Sequence, residues 1–77
     1  MDIIYSKQPE AFISKQTEQQ AARIKKAINA LPAGDIKKVA GYKGIYRLRV
    51  GNVRILFEKT NTEIHVIEIN NRGQVYK

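Results

Sequence analysis

The stretch Tyr46-Arg47-Leu48-Arg49-Val50-Gly51-Asn52-Val53-Arg54-Ile55-Leu56-Phe57-Glu58 decides the fold. At a period of two, Tyr46, Leu48, Val50, Val53, Ile55 and Phe57 share one face. Arg47, Arg49 and Arg54 fall on the other. This is the alternation of two strands, each with an apolar side and a polar side. Gly51-Asn52 separates them, with glycine first, the signature of a type II′ hairpin. A two-residue turn fixes the register, so Val50 faces Val53 and Arg49 faces Arg54. Two arginines directly opposite on a sheet repel. Such a pair is most readily kept where an anion comes to sit on it, so the polar face reads first as a phosphate-binding surface.

Outward from the hairpin, other elements take shape. Ile3-Ile4-Tyr5 reads as a short first strand. Ser6 offers a cap for a short helix from Pro9 to Lys15, with Phe12 and Ile13 its apolar residues. Thr17-Glu18-Gln19-Gln20 has the capping-box form. Ala21, Ile24, Ile28 and Leu31 follow as one apolar stripe of a second helix, ended by Pro32-Ala33-Gly34. Residues 35–44 read as a polar crossing anchored by Ile36 and Val39 and carrying Lys37, Lys38 and Lys43. After the hairpin, Thr60-Asn61 makes a turn and Glu63 to Ile69 a strand. Ile64, Val66, Ile67 and Ile69 break alternation there, as expected of a central strand or one with a bulge. Residues 70–73 read as a loop, and Val75-Tyr76-Lys77 closes the chain. The expectation is an α+β domain over residues 1–77, in the order β-α-α-β-β-β. An antiparallel meander carries the N-terminal helical pair on one face.

Bulk composition narrows the function. The 77 residues hold 14 Lys and Arg against 7 Asp and Glu, a net charge of +7. That excess favours an anionic partner, nucleic acid or an acidic protein segment. A domain this small buries only about 60–65% of its unfolded surface, so it gains from a partner. There is no cysteine and one histidine, His65, so neither disulfides nor a protein-only zinc site is supported. No stretch has the length and apolarity of a signal peptide or membrane span, and a cytoplasmic location is expected.

With these residues in place, the sequence resembles the RelE/ParE toxin superfamily of bacterial and archaeal type II toxin–antitoxin systems, nearer its RelE-like side. The resemblance rests on the Tyr46–Phe57 run and on Asn71-Arg72-Gly73-Gln74-Val75-Tyr76. Element order and length agree over essentially the whole chain. It implies a ribosome-dependent, metal-free endoribonuclease that cleaves translated messenger RNA, inhibits translation and is restrained by an antitoxin. No small-molecule cofactor and no membrane partner are implied. Arg47 and Arg49 match basic residues that grip the RNA backbone. Arg54 matches an arginine near the scissile phosphate, Arg72 a C-terminal arginine and Tyr76 a C-terminal tyrosine. Lys37, Lys38 and Lys43 are expected to add contacts to RNA backbone, ribosomal RNA included.

Arginine suits the stabilising part of such chemistry because it is always charged and offers phosphate a planar fork. Arg49, Arg54 and Arg72 are the expected catalytic cations, and Tyr76 the proton-transfer group or stacking platform. The plainer reading of the arginines is a solvated sheet face, and that of Tyr76 is packing of the last strand. In the expected register His65 lies opposite Leu56, and Tyr46 belongs to the core. Many members carry lysine at the positions of Arg47 and Arg49, and others carry histidine or glutamate near the C-terminus. This chain does neither, so no general base is assigned. The alternatives are a ParE-like toxin that inhibits DNA gyrase and cuts nothing, and a degenerate toxin that binds only antitoxin or RNA. Many members also continue into a further helix, whereas this sequence ends at Lys77. An apolar groove more open to an antitoxin segment is expected from that.

Overall fold

The computed structural model describes residues 2–71. Seven elements follow in order: β1 (Asp2–Tyr5), α1 (Lys7–Ser14), α2 (Glu18–Asn29), β2 (Asp35–Lys38), β3 (Ile45–Val50), β4 (Val53–Lys59) and β5 (Glu63–Asn71). The strands form one sheet in the order β1-β5-β4-β3-β2. The two helices carry the chain from one edge strand, β1, to the other, β2. From β2 it returns as an antiparallel meander, and β5 lies parallel to β1. The sheet is therefore mixed, with the expected meander as its body and one parallel pair at its edge.

The helices form where their local signals place them. The Thr17 hydroxyl accepts from the Gln20 N–H at 3.2 Å, satisfying a donor that the first helical turn leaves open. Ile24 and Ile28 of α2 are fully buried, and Ala21 and Leu31 pack at the margin of the core. Ser6 takes the N-cap position of α1 without capping it. Its hydroxyl instead pairs with His65 Nε2 at 2.8 Å. The core lies between this helical layer and one face of the sheet. Leu48, Val53, Ile55, Phe57, Ile64, Val66 and Ile69 come from the sheet, and Ile13, Ile24 and Ile28 from the helices. Tyr46 stacks on Phe57 with ring centroids 5.6 Å apart, as a half-buried residue of this layer.

The hairpin has the expected register, Val50 opposite Val53 and Arg49 opposite Arg54. Gly51 has φ 58°, and no other residue type has positive φ among the described residues, the pattern of a II′ turn. Three readings are corrected. The crossing at residues 35–44 contains β2, with Asp35 opposite Arg49 and Lys37 opposite Arg47. Only Ile36 of that strand turns toward the core, too little apolar content for alternation to show. Asn70 and Asn71 continue β5 instead of forming a loop, held opposite Arg54 and Val53. His65 lies opposite Glu58, not Leu56. The cause is a bulge: Phe57 pairs with Val66 and Leu56 with Glu68, leaving Ile67 without a counterpart. That extra residue explains why core positions run 64, 66, 69.

Gln8 supports the strand just beyond the bulge. Its side-chain amide donates to the Ile69 carbonyl at 2.7 Å and accepts from the Ile69 N–H at 2.8 Å. Strand β1 has ended at Tyr5, so α1 supplies by side chain the partners that a longer β1 would supply by backbone.

Candidate nucleic-acid interface

The helices cover one face of the sheet and leave the other open. Alternation places Asp35, Arg49, Arg54 and Asn70 in one row across β2 to β5 of the open face. Lys37, Arg47, Leu56 and Glu68 make the next row. Ile45, Glu58, His65 and Ile4 make the third. The face is thus polarised. Four cations gather toward the β3–β4 turn and the β2 edge, while Glu58, Glu68 and His65 lie toward the opposite end and β5.

Within the cationic end, Arg47 has an unusual environment. Its side chain keeps only 14% of its exposure, and buried Nε and Nη2 have no hydrogen-bond partner among the described residues. Lys37 and Leu56 flank it from the neighbouring strands. The carboxylate of Asp35 approaches Nη2 at 3.9 Å, near enough to offset charge but too far to accept a hydrogen bond. A second 3.9 Å approach joins Asp35 to Nε of Arg49. Leaving buried donors unsatisfied costs about 1–3 kcal/mol, and more for a charged group. An oxyanion on this face would relieve that cost.

A shallow cleft of about 280 Å³ lies over this cluster, lined by Lys37, Lys38, Val39, Arg47, Arg54 and Leu56. Of the residues expected from sequence, Lys37, Lys38, Arg47 and Arg54 meet at this cleft, and Arg49 stands beside it opposite Arg54. Arg54 is half-buried and engaged in a further interaction. Lys43 sits in the exposed connection between β2 and β3, as does Tyr42, 68% exposed. Arg72 and Tyr76 lie outside the described residues. His65 is two rows from the Arg49–Arg54 pair and engaged with Ser6, away from the cationic cluster.

Sequence reasoning passed over Asp35 because it did not recognise β2. Asp35 and Lys37 do alternate with Ile36 directly after Gly34, but one inward residue in four is too short a pattern to announce a strand. Gly34 has φ 127°, and a Cβ there would stand 2.9 Å from Leu48 Cδ1, so glycine allows β2 to begin close against β3. Glu68 was also missed as a member of this face. Its carboxylate accepts from the Asn70 side-chain amide at 2.6 Å. Among the described residues no group of three His, Cys, Asp or Glu side chains is placed to hold a metal ion, and no helix is long and apolar enough to cross a membrane.

Comparison with known proteins agrees with this arrangement. The chain is similar in structure to one from the RelB–RelE antitoxin–toxin complex of Methanococcus jannaschii. The TM-score is 0.75 and the identity 27%, over 95% of this chain and 94% of that one. It is similar to one from the archaeal RelE–RelB complex of Pyrococcus horikoshii OT3, with TM-score 0.76 and 18% identity over 95% and 96% of the two chains. The conserved hypothetical protein HP0894 from Helicobacter pylori gives TM-score 0.67 at 7% identity, over 99% of both chains. At those last two identities the likeness is one of fold alone. No curated protein sequence matches the chain significantly. The model of the ParE toxin of type II toxin–antitoxin systems, parDE, matches residues 2–76. The family model spans nearly the whole chain, and the chain belongs to this ParE toxin family, within the RelE/ParE superfamily of type II toxins.

Proposed function

We propose that this toxin is a ribosome-dependent endoribonuclease that cuts translated messenger RNA and is held inactive by an antitoxin. The observation that carries the reading is the gathering of Lys37, Arg47, Arg49 and Arg54 at one end of the open face, where two Arg47 nitrogens find no hydrogen-bond partner among the described residues. A surface selected only for solubility would spread such charges apart; a surface for RNA gathers them where neighbouring phosphates can sit.

In the proposed reaction the 2′-hydroxyl of one nucleotide gives its proton to solvent water as its oxygen attacks the adjacent phosphorus. The bond to the 5′-oxygen of the next nucleotide breaks, leaving a cyclic phosphate and a free 5′-hydroxyl. Arg49 and Arg54 stabilise the additional negative charge of the phosphorane, with Arg72 as a third cation. Arg47 and Lys37 grip neighbouring phosphates and set register. Lys38 and Lys43 supply sequence-independent backbone contacts. Tyr76 donates its phenolic proton to the departing oxygen and regains one from solvent, or stacks on a base. An acidic antitoxin segment laid over the same face would neutralise it.

The M. jannaschii relative was solved as an antitoxin–toxin complex, and its 27% identity supports the RelE-like side. The match to a ParE model supports a second reading, inhibition of DNA gyrase without cleavage. Inducible expression with radiolabelled amino-acid and thymidine incorporation separates the two. Early loss of protein synthesis, with DNA synthesis maintained, is expected. Early loss of DNA synthesis would replace the nuclease reading with the gyrase one.

A further inference from the structure

We infer that Asp35 is a built-in stand-in for phosphate, a counter-ion that occupies the basic face in the free toxin and is displaced when RNA binds. The inference deepens the RNA-binding reading and rests on it. Three features carry it. Asp35 lies at the edge of the row that holds Arg49 and Arg54, and its carboxylate oxygens each stand 3.9 Å from a different guanidinium, those of Arg47 and Arg49. Both approaches are too long for hydrogen bonds, so the carboxylate offsets charge while Nε and Nη2 of Arg47 find no hydrogen-bond partner among the described residues. The Asp35 side chain is 56% exposed, which leaves it free to swing into solvent.

A ligand that only neutralises and does not saturate is a weak competitor. Once Asp35 has swung away, a phosphate taking its place can approach the guanidinium edges of Arg47 and Arg49 that the carboxylate faces, and phosphate oxygens fit guanidinium bidentately. The exchange is therefore favourable for a strong phosphate ligand. For stray anions the resident carboxylate raises the threshold. Asp35 thus sets how tightly, and with what salt dependence, the face holds nucleic acid, acting through Arg47 and Arg49 as a positioning and tuning residue. Gly34 is what places it there, since a side chain at that position would meet Leu48.

The test measures binding of a fluorescent single-stranded RNA, 2′-O-methylated to block cleavage, to the full chain across a range of salt. Asp35→Asn keeps the shape and removes the charge, and Asp35→Glu keeps the charge. Asp35→Asn is expected to bind about three- to tenfold tighter at about 0.1 M salt, with the logarithmic salt slope steeper by about 0.7. Asp35→Glu is expected to keep the parental slope. Equal or weaker binding by a folded Asp35→Asn variant, verified by circular dichroism, would overturn the inference and leave Asp35 a structural ion-pair partner. If Asp35→Asn does not fold, Asp35→Ser takes its place with the same expectation. Absence of salt-dependent binding by the parent would overturn the RNA-binding reading itself, and the inference with it.

Discussion

Arg47 is where stability and function pull apart. Replacing a largely buried, incompletely paired charge with a packed apolar side chain is often neutral or stabilising. Arg47→Met is therefore expected to leave stability unchanged or raise it by about 1 kcal/mol in urea denaturation, while RNA binding falls by at least tenfold. A loss of several kcal/mol would mean that the guanidinium is a structural strut. Arg54→Ala is expected to abolish toxicity at matched expression with the far-ultraviolet spectrum unchanged. The sequence marks these residues by alternation alone, which assigns a face and not a depth. The depth of Arg47 is not legible there, because it is set by neighbours such as Lys37 and Leu56, brought beside it by strands on either side. Asp35 was beyond reach for the same reason: its partner is set by a strand pairing that four residues with one inward isoleucine do not announce.

Among the elements, the β3–β4 hairpin was readable in full, since turn chemistry and two apolar faces point to one register. Strand β5 was readable only in part. Its broken alternation pointed to a central strand or to a bulge, but placing an extra residue at Ile67 requires the pairing with β4, on which the partner of His65 also depends. The Gln8 clamp on Ile69 was not readable at all, because it joins residues 61 apart through a side chain. Gln8→Ala is expected to cost about 1–3 kcal/mol, since two part-buried backbone groups lose their partners. Hydrogen exchange at the Ile69 amide checks it, with faster exchange expected there than at Phe57. Strand β1 contributes a pH dependence. Burial raises the Tyr5 phenol above 10.0, so the folded state favours its neutral form. This stability is fully present below pH about 10 and is lost as pH rises through the higher folded-state value. Tyr5→Phe is expected to flatten that part of the alkaline denaturation curve.

At the scale of the molecule, the chain crosses the sheet once through its helices and returns as a meander. That path packs the helices on one face of the sheet and, among the described residues, leaves the other uncovered by any helix. Ile24 and Ile28 lock the crossing to the sheet, and Ile28→Ala is expected to cost about 2–5 kcal/mol by the cavity it leaves. The apolar stripe of α2 was legible from spacing. The edge-to-edge crossing and the parallel β1–β5 pair were not, because both depend on where the meander ends. The same path gathers Lys37, Arg47, Arg49 and Arg54 from three strands onto one end of the open face. The central claim is that this face cuts RNA on the ribosome. Mapping 5′ ends on translated and untranslated copies of one message, after induction of the parent and of Arg54→Ala, tests it most directly. New ends confined to the translated copy, present with the parent and absent with Arg54→Ala, are predicted. Growth arrest by the parent with no new ends would contradict the claim.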